Sequence, residues 1–226
     1  MKTHEAVMNW VTEGLASGRL HVGDHLPGER TLAETLQMSR SSLREAMRVL
    51  EALGTIRTAT GSGPRSGTVL TAAPEQAFTL ALTHQLATHN VAPHHMVEVR
   101  ILLETWAAQH AQPGMGEWDA VDDLLTRMDD PATSLEEFLV RDAEFHITLS
   151  RAAGNPLIST LMDGLRTAIA DHTLSRAKGL QDWSETSARL RAEHREIAAR
   201  LRAGEREKAA ALLRAHIEGY YLETDA

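Results

Sequence analysis

The stretch LPGERTLAETLQMSRSSLREAMRVLEALGTI, residues 26–56, carries the most decisive pattern in the chain. Pro27 and Gly28 mark a turn, after which Glu29 to Leu36 reads as a short helix with Leu32, Ala33 and Leu36 inward. Ser39 opens a second helix, because its hydroxyl can cap the free N–H groups of the first turn. Leu43, Ala46, Met47 and Leu50 then recur on the buried side of a helix that runs to Leu53 and is closed by Gly54. A helix that reads DNA carries short polar and cationic side chains on its first turn, where they meet base edges and phosphates, and packs its other face on the scaffold. Ser39, Arg40, Ser41, Ser42 and Arg44 answer that description. Arg40 and Arg44 lie one turn apart and share a face, each with a guanidinium fork suited to O6 and N7 of guanine or to a phosphate, and Arg48 extends the stripe.

On the N-terminal side, residues 4–18 place Ala6, Val7, Trp10, Val11 and Leu15 at helical spacing and stop at Gly18. On the other side, TIRTAT and TVLTAA flank the loop GSGPRSG, which predicts two short strands around a glycine-rich tip. Helix, helix, turn, helix, hairpin is the order of a winged helix-turn-helix, assigned to residues 1–73. After Pro74 no strand pattern returns. Helical periodicity predicts segments near 75–89, 93–111, 117–129, 134–153, 156–178, 183–203 and 205–222, an all-α bundle over residues 74–226. The fold class is therefore mainly α in two domains.

Composition fits this division. The chain of 226 residues is 42% hydrophobic and 24% charged, with a net charge of −8. Residues 1–73 hold 8 Lys and Arg against 7 Asp and Glu, whereas residues 74–226 hold 15 against 24. The acidity thus sits in the second half, and a DNA module needs only a locally basic face. With no cysteine there is no disulfide framework and no thiolate zinc site. No apolar run reaches the roughly 18 residues of a membrane helix, and MKTHEAVMNWVTEG lacks the apolar core of a signal peptide, so a cytoplasmic location and no membrane partner are expected.

The second half carries its own chemistry. Asp142 and His146 are four residues apart in SLEEFLVRDAEFHITLSRAAG, so both side chains can reach one point beside the helix. His194 shares a face with Leu190, Ile197 and Leu201, and His216 lies among Leu212, Leu213 and Tyr220, so both turn inward. Imidazoles with a carboxylate suit zinc, nickel or manganese. Three neutral histidines and one carboxylate would leave a divalent ion with positive charge and open positions, for which an anion is the natural guest. A histidine taken singly is more often a core residue with one hydrogen bond, and the other nine histidines show no such grouping. An arginine taken singly is more often solvated or paired, and for Arg44 the pairing candidates are Glu45 and Glu51.

Leu26-Pro27, Glu29-Arg30, Leu32-Ala33, Ser39-Arg40, Leu43-Arg44-Glu45-Ala46 and Leu50, followed by the glycine-rich loop, closely resemble the winged helix-turn-helix of GntR-type bacterial regulators. The helical remainder resembles the ligand-sensing domain of that superfamily's FadR/FCD branch. The resemblance implies operator contacts from Arg30, Arg40 and Arg44, assisted by Ser41, Ser42, Gly61 and Gly63. Thr31 departs from the family, which usually has an acidic residue there, and the loop that holds Arg65 is longer and richer in glycine than usual. An Asp-x-x-x-His pair followed by one histidine on each of two later helices is the family's ligand pattern, and it implies Asp142, His146, His194 and His216 as ligands of a divalent metal, zinc foremost. Arg100, in HMVEVRILLETW, matches an arginine beside the family's pocket, where it could hold a carboxylate; alternatively it pairs with Glu104 one turn on. Asn155 matches a position that lines the cavity, or it caps the helix starting at Pro156.

The resemblance implies a ligand-responsive transcriptional regulator, a repressor, acting as a homodimer on a near-palindromic double-stranded operator and sensing a small organic acid at the metal. The alternative is a metal-dependent enzyme fused to a DNA-binding module. Against it, no further Glu or His stands one turn from a ligand as an obvious general base.

Overall fold

The computed structural model describes residues 3–59, 67–71, 73, 75–87, 92–180 and 182–224, which form two compact units divided between Phe78 and Thr79. Gly61, Gly63 and Arg65 lie outside the described residues.

The first unit contains α1 (Thr3–Ala16), α2 (Glu29–Thr35), α3 (Arg40–Ala52), β1 (Ile56–Ala59) and β2 (Gly67–Leu70). The strands pair antiparallel with Ile56 opposite Leu70 and Ala59 opposite Gly67, and a single bridge from His25 to Val69 adds an edge that the sequence pattern does not announce. The periodic residues become the core: Val7, Val11, Leu32, Leu43, Ala46, Leu50, Ile56 and Leu70 are all buried together, each large side chain contributing about 1.5–3 kcal/mol relative to exposure. Leu15, expected inward, is 37% exposed. It sits in the last turn of α1, past the reach of the core.

Two local devices fix the entry to α3. Gln37 takes the left-handed conformation (φ 52°) that turns the chain between α2 and α3, an arrangement that costs a non-glycine residue about 1 kcal/mol. Ser39 then accepts a hydrogen bond from the Ser42 N–H at 3.1 Å, as the N-cap reading requires. At the far end Gly54 (φ 67°) closes α3, with Thr55 N–H donating to Leu50 and Gly54 N–H to Glu51.

Among its described residues the second unit contains helices and no strand. α4 (Glu75–Ala87) spans the boundary, and α5 (Pro93–His110), α6 (Trp118–Asp129), α7 (Leu135–Arg151), α8 (Pro156–Ala177), α9 (Trp183–Arg202) and α10 (Arg206–Thr224) follow. All seven expected segments form with ends shifted by at most two residues; the expected break after α5 contains a short 3-10 turn at Pro113–Met115. Ser134 and Glu137 make a capping box that starts α7, and Asp182 caps α9.

α7 is the centre of this unit. Phe138, Leu139, Phe145 and Leu149 join one apolar cluster with residues of α6, α9 and α10, while Ala143 and Ile147 join a second with Met162, Leu165 and Ile169 of α8. The helix is therefore wrapped over its C-terminal half, where Phe145 through Ser150 are all buried, while Glu136, Glu137, Val140 and Glu144 face solvent. Asp142 and His146 occupy the same helix between the two clusters and are denied water, so they must find partners inside the protein. Among the described residues no helix is long and apolar enough to cross a membrane.

Candidate functional site

Those partners are Asp142, His146, His194 and His216 themselves, brought together by α7, α9 and α10. One ligand atom from each lies within 4.8 Å of all the others, and all four residues are buried. His194 Nε2 is 2.9 Å from Asp142 Oδ1. His216 Nε2 stands 3.2 Å from both His146 Nε2 and His194 Nε2, and His146 Nε2 is 3.8 Å from Asp142 Oδ1.

The chemistry of this donor set fits a cation. His146 Nδ1 lies 2.5 Å from Glu104 Oε2, and His216 Nδ1 lies 2.7 Å from Glu193 Oε2. An ionised carboxylate only accepts, so both rings donate a proton from Nδ1 and turn Nε2 toward the common point. The two Nε2 atoms, 3.2 Å apart, are spaced as two donors to one tetrahedral ion would be. Burial pushes His216 down to about 3 against the opposing bond to Glu193, and burial likewise lowers His194 in spite of Asp142. Both rings are thus neutral, the form in which imidazole binds metal. Burial alone would raise Asp142, but His146, His194 and Arg100 hold it well below the usual carboxylate range. Glu104 is held at about 2 by His146 and Arg100 against the same burial.

Arg100 is buried, and its Nε donates to Glu104 Oε1 at 2.6 Å, the pairing left open by the sequence. Its Nη2 is 3.8 Å from Asp142 Oδ2 and has no hydrogen-bond partner among the described residues. Arg100, Asp142, Thr173, His216 and Tyr220 border a cavity of about 10 Å³, and Glu104 and His146 border another of the same size. Each has room for about one water molecule. Asn155 lines neither; its side-chain oxygen accepts from the Leu157 and Ile158 N–H groups and caps α8.

The sequence shows no further Glu or His one turn from a candidate ligand as an obvious general base, and it does not single out Glu104 and Glu193, the two carboxylates that the structure sets behind His146 and His216. Glu104 comes from α5, 42 residues before His146, a distance over which helical spacing says nothing. Both glutamates sit on the Nδ1 sides of their rings, away from the shared point, and so are placed to orient ligands rather than to act on a guest. A trace was present in the sequence: Arg100/Glu104 and Arg189/Glu193 are both arginine–glutamate pairs four residues apart.

On the first unit, α3 presents Arg40 and Arg44 to solvent. Arg44 Nε donates to Glu29 Oε2 of α2 at 2.8 Å, not to Glu45 or Glu51. Glu45 instead takes Arg48, and Glu51 accepts from the Thr58 N–H. Arg30 is 4.0 Å from Glu34 with both side chains more than 70% exposed, the loosest of these pairs. Among the described residues the Arg40 side chain has no ion-pair partner. The Ser39 hydroxyl is engaged in the cap, donating to Ser42 Oγ at 2.8 Å and sharing a hydrogen bond with Ser41 Oγ at 2.9 Å.

Comparison with known proteins agrees with this arrangement. Residues 3–65 match the family described as bacterial regulatory proteins, gntR family, and residues 95–219 match the FCD domain. The chain is 32% identical to the uncharacterised HTH-type transcriptional regulator YcbG of Bacillus subtilis over 70% of its own length and 65% of that protein's, so it spans about two thirds of that relative. It is 29% identical to the HTH-type transcriptional regulator LutR of the same organism over 90% and 92% of the two chains. The solved structure of a Streptococcus agalactiae GntR protein has the same fold, with a TM-score of 0.65 at 21% identity over 99% and 100% of the two chains. These findings set aside the alternative of an enzyme fused to a DNA-binding module: the chain belongs to the GntR family of bacterial regulatory proteins, in the branch with an FCD domain, and is a ligand-responsive DNA-binding transcriptional regulator.

Proposed function

We propose that residues 1–73 bind a near-palindromic operator as one half of a homodimer, and that residues 74–226 sense a small organic acid at a divalent metal, zinc foremost, held by Asp142, His146, His194 and His216. The observation that carries this reading is the convergence of three imidazole nitrogens and one carboxylate oxygen within 4.8 Å inside a buried helical core. Nitrogen and oxygen donors of this kind favour zinc, nickel or manganese. A divalent ion there supplies a Lewis-acidic anchor for a carboxylate. Arg100 adds the second anchor, because its buried Nη2 has no hydrogen-bond acceptor among the described residues. Asn155 serves as the cap of α8.

In this reading Arg40, with Arg30 and Arg44, carries the main operator contacts. The Arg44–Glu29 pair is exposed and worth at most about 1 kcal/mol, so a phosphate can replace Glu29 at little cost. Ser39 holds the first turn of α3 in place, Ser41 and Ser42 add hydroxyls, and Gly61 and Gly63 let the wing approach the duplex. Two-fold symmetry of the dimer matches two half-sites. The protein works in the cytoplasm as a repressor, and the acid alters operator affinity through its different affinity for two helical arrangements.

The test is a panel of small organic acids applied to the metal-analysed protein, with melting temperature and operator binding as readouts. The wild-type chain should hold one metal per chain, and at least one acid should raise the melting temperature and change operator affinity. His194→Ala combined with His216→Ala should lose both the metal and the response while the protein remains folded. Metal retained by that double variant would show that the ligands are misassigned. A wild-type centre that binds metal but answers to no acid would make the metal purely structural.

A further inference from the structure

Behind two of the three imidazoles stand two arginine–glutamate pairs of the same construction. On α5, Glu104 gives one oxygen to Arg100 Nε at 2.6 Å and the other to His146 Nδ1 at 2.5 Å. On α9, Glu193 gives one oxygen to Arg189 Nη1 at 2.8 Å and the other to His216 Nδ1 at 2.7 Å. In both, the arginine precedes the glutamate by four residues on one helix and fixes its carboxylate, and the carboxylate fixes the ring of a histidine on a different helix. The third histidine has no such support: His194 Nδ1 is without a hydrogen-bond partner among the described residues, and its ring is held by packing on Phe145 with centroids 4.6 Å apart.

We propose that Glu104 and Glu193 are positioning residues for the metal centre, each keeping the proton of its histidine on Nδ1 so that Nε2 meets the ion as a lone pair. The inference rests on the metal reading of Asp142, His146, His194 and His216. Neither glutamate belongs to the inward-facing donor set, and each acts only through its histidine. A carboxylate on the far nitrogen also makes the ring a stronger donor, and loss of such partners elsewhere lowers metal affinity by about 10- to 100-fold. The two pairs differ in exposure. Arg100 and Glu104 are 3% and 2% exposed, whereas Arg189 and Glu193 are 35% and 31% exposed. Arg189 is also paired with Glu223 of α10, so α9 and α10, which bear His194 and His216, are joined beside the site.

Glu193 is the position to test, because its partial exposure lets the chain fold without its charge. Glu193→Gln and Glu193→Leu would be made in the full chain, stripped of metal and reloaded with zinc or cobalt(II) alone. Zinc affinity by chelator competition should fall about 10- to 100-fold in both, with a changed cobalt(II) visible spectrum and an unchanged melting temperature of the stripped protein. Glu196→Gln, on the same helix but paired outward with Arg200, should leave affinity and spectrum as in the wild type. Wild-type affinity and spectrum in both Glu193 variants would overturn the inference and leave the metal centre standing. A wild-type chain that takes up neither ion would overturn the metal reading, and this inference with it.

Discussion

In the first unit the side chains assigned to function stand on a surface, and in the second they are sealed inside. Arg30, Arg44 and Arg48 are 56–82% exposed in their ion pairs, whereas Arg100, Glu104, Asp142, His146 and His194 are 0–6% exposed in theirs. Exposed pairs cost little to make or break, so the arginines of α2 and α3 can change partners without disturbing the core beneath them. Buried charges behave otherwise: removing one partner strands the other in a medium of low dielectric, typically at about 3–5 kcal/mol. The lesson is that one set of charges can change partners in solvent, while the other is held in a fixed geometry by its burial.

Three measurements would break or sharpen that contrast. The largest effect belongs to the packing that seals the second unit. Phe138 is fully buried and its ring meets Trp183 edge-on, so Phe138→Ala should destabilise this unit by about 3–5 kcal/mol. Calorimetry should show the transition of the helical unit moving down while that of the N-terminal unit holds; equal shifts in both would deny that the units have separate cores. Next comes Arg40→Ala, which should weaken specific operator binding by about 1–3 kcal/mol, roughly 5- to 150-fold, with no change in melting temperature because the side chain supports nothing else. An unaltered gel-shift affinity would remove Arg40 from the reading face. Smallest is Glu29→Gln, which frees Arg44 from its 2.8 Å partner. Stability should change by less than about 1 kcal/mol and operator affinity should hold or rise; a marked loss would mean that the pair presets Arg44 for DNA.

Most of the architecture was readable because it is written locally. Ser39 and Gly54 mark the two ends of α3, one through its capping hydroxyl and the other through its left-handed backbone, and the apolar periods of α3 and α9 name their own buried faces. The inward direction of the four donors was legible from the spacing of Asp142 and His146 and from the apolar faces that His194 and His216 share, but their grouping as one ligand set came from the resemblance to the FCD pattern. Glu104 and Glu193 were harder to see. Their roles depend on which helices become neighbours, and an arginine–glutamate pair at this spacing also decorates ordinary solvated helices, as Arg214 and Glu218 do here. The pairing of Arg44 with Glu29 was missed for the same reason, since it joins residues 15 apart across a turn. The tip of the wing lies outside the described residues, so the expectations for Gly61 and Gly63 stay where the sequence left them.

The two spaces of about 10 Å³ beside the donors have a bearing on selectivity. A guest larger than a solvent molecule has to enlarge its own berth by parting helices that are packed around α7, so part of its attraction is converted into displacement. Inorganic anions of small radius can seat without that work and leave the bundle at rest. On the proposed reading, bulkier acids would not lodge without moving it, and size would be the property that separates an occupant from a signal.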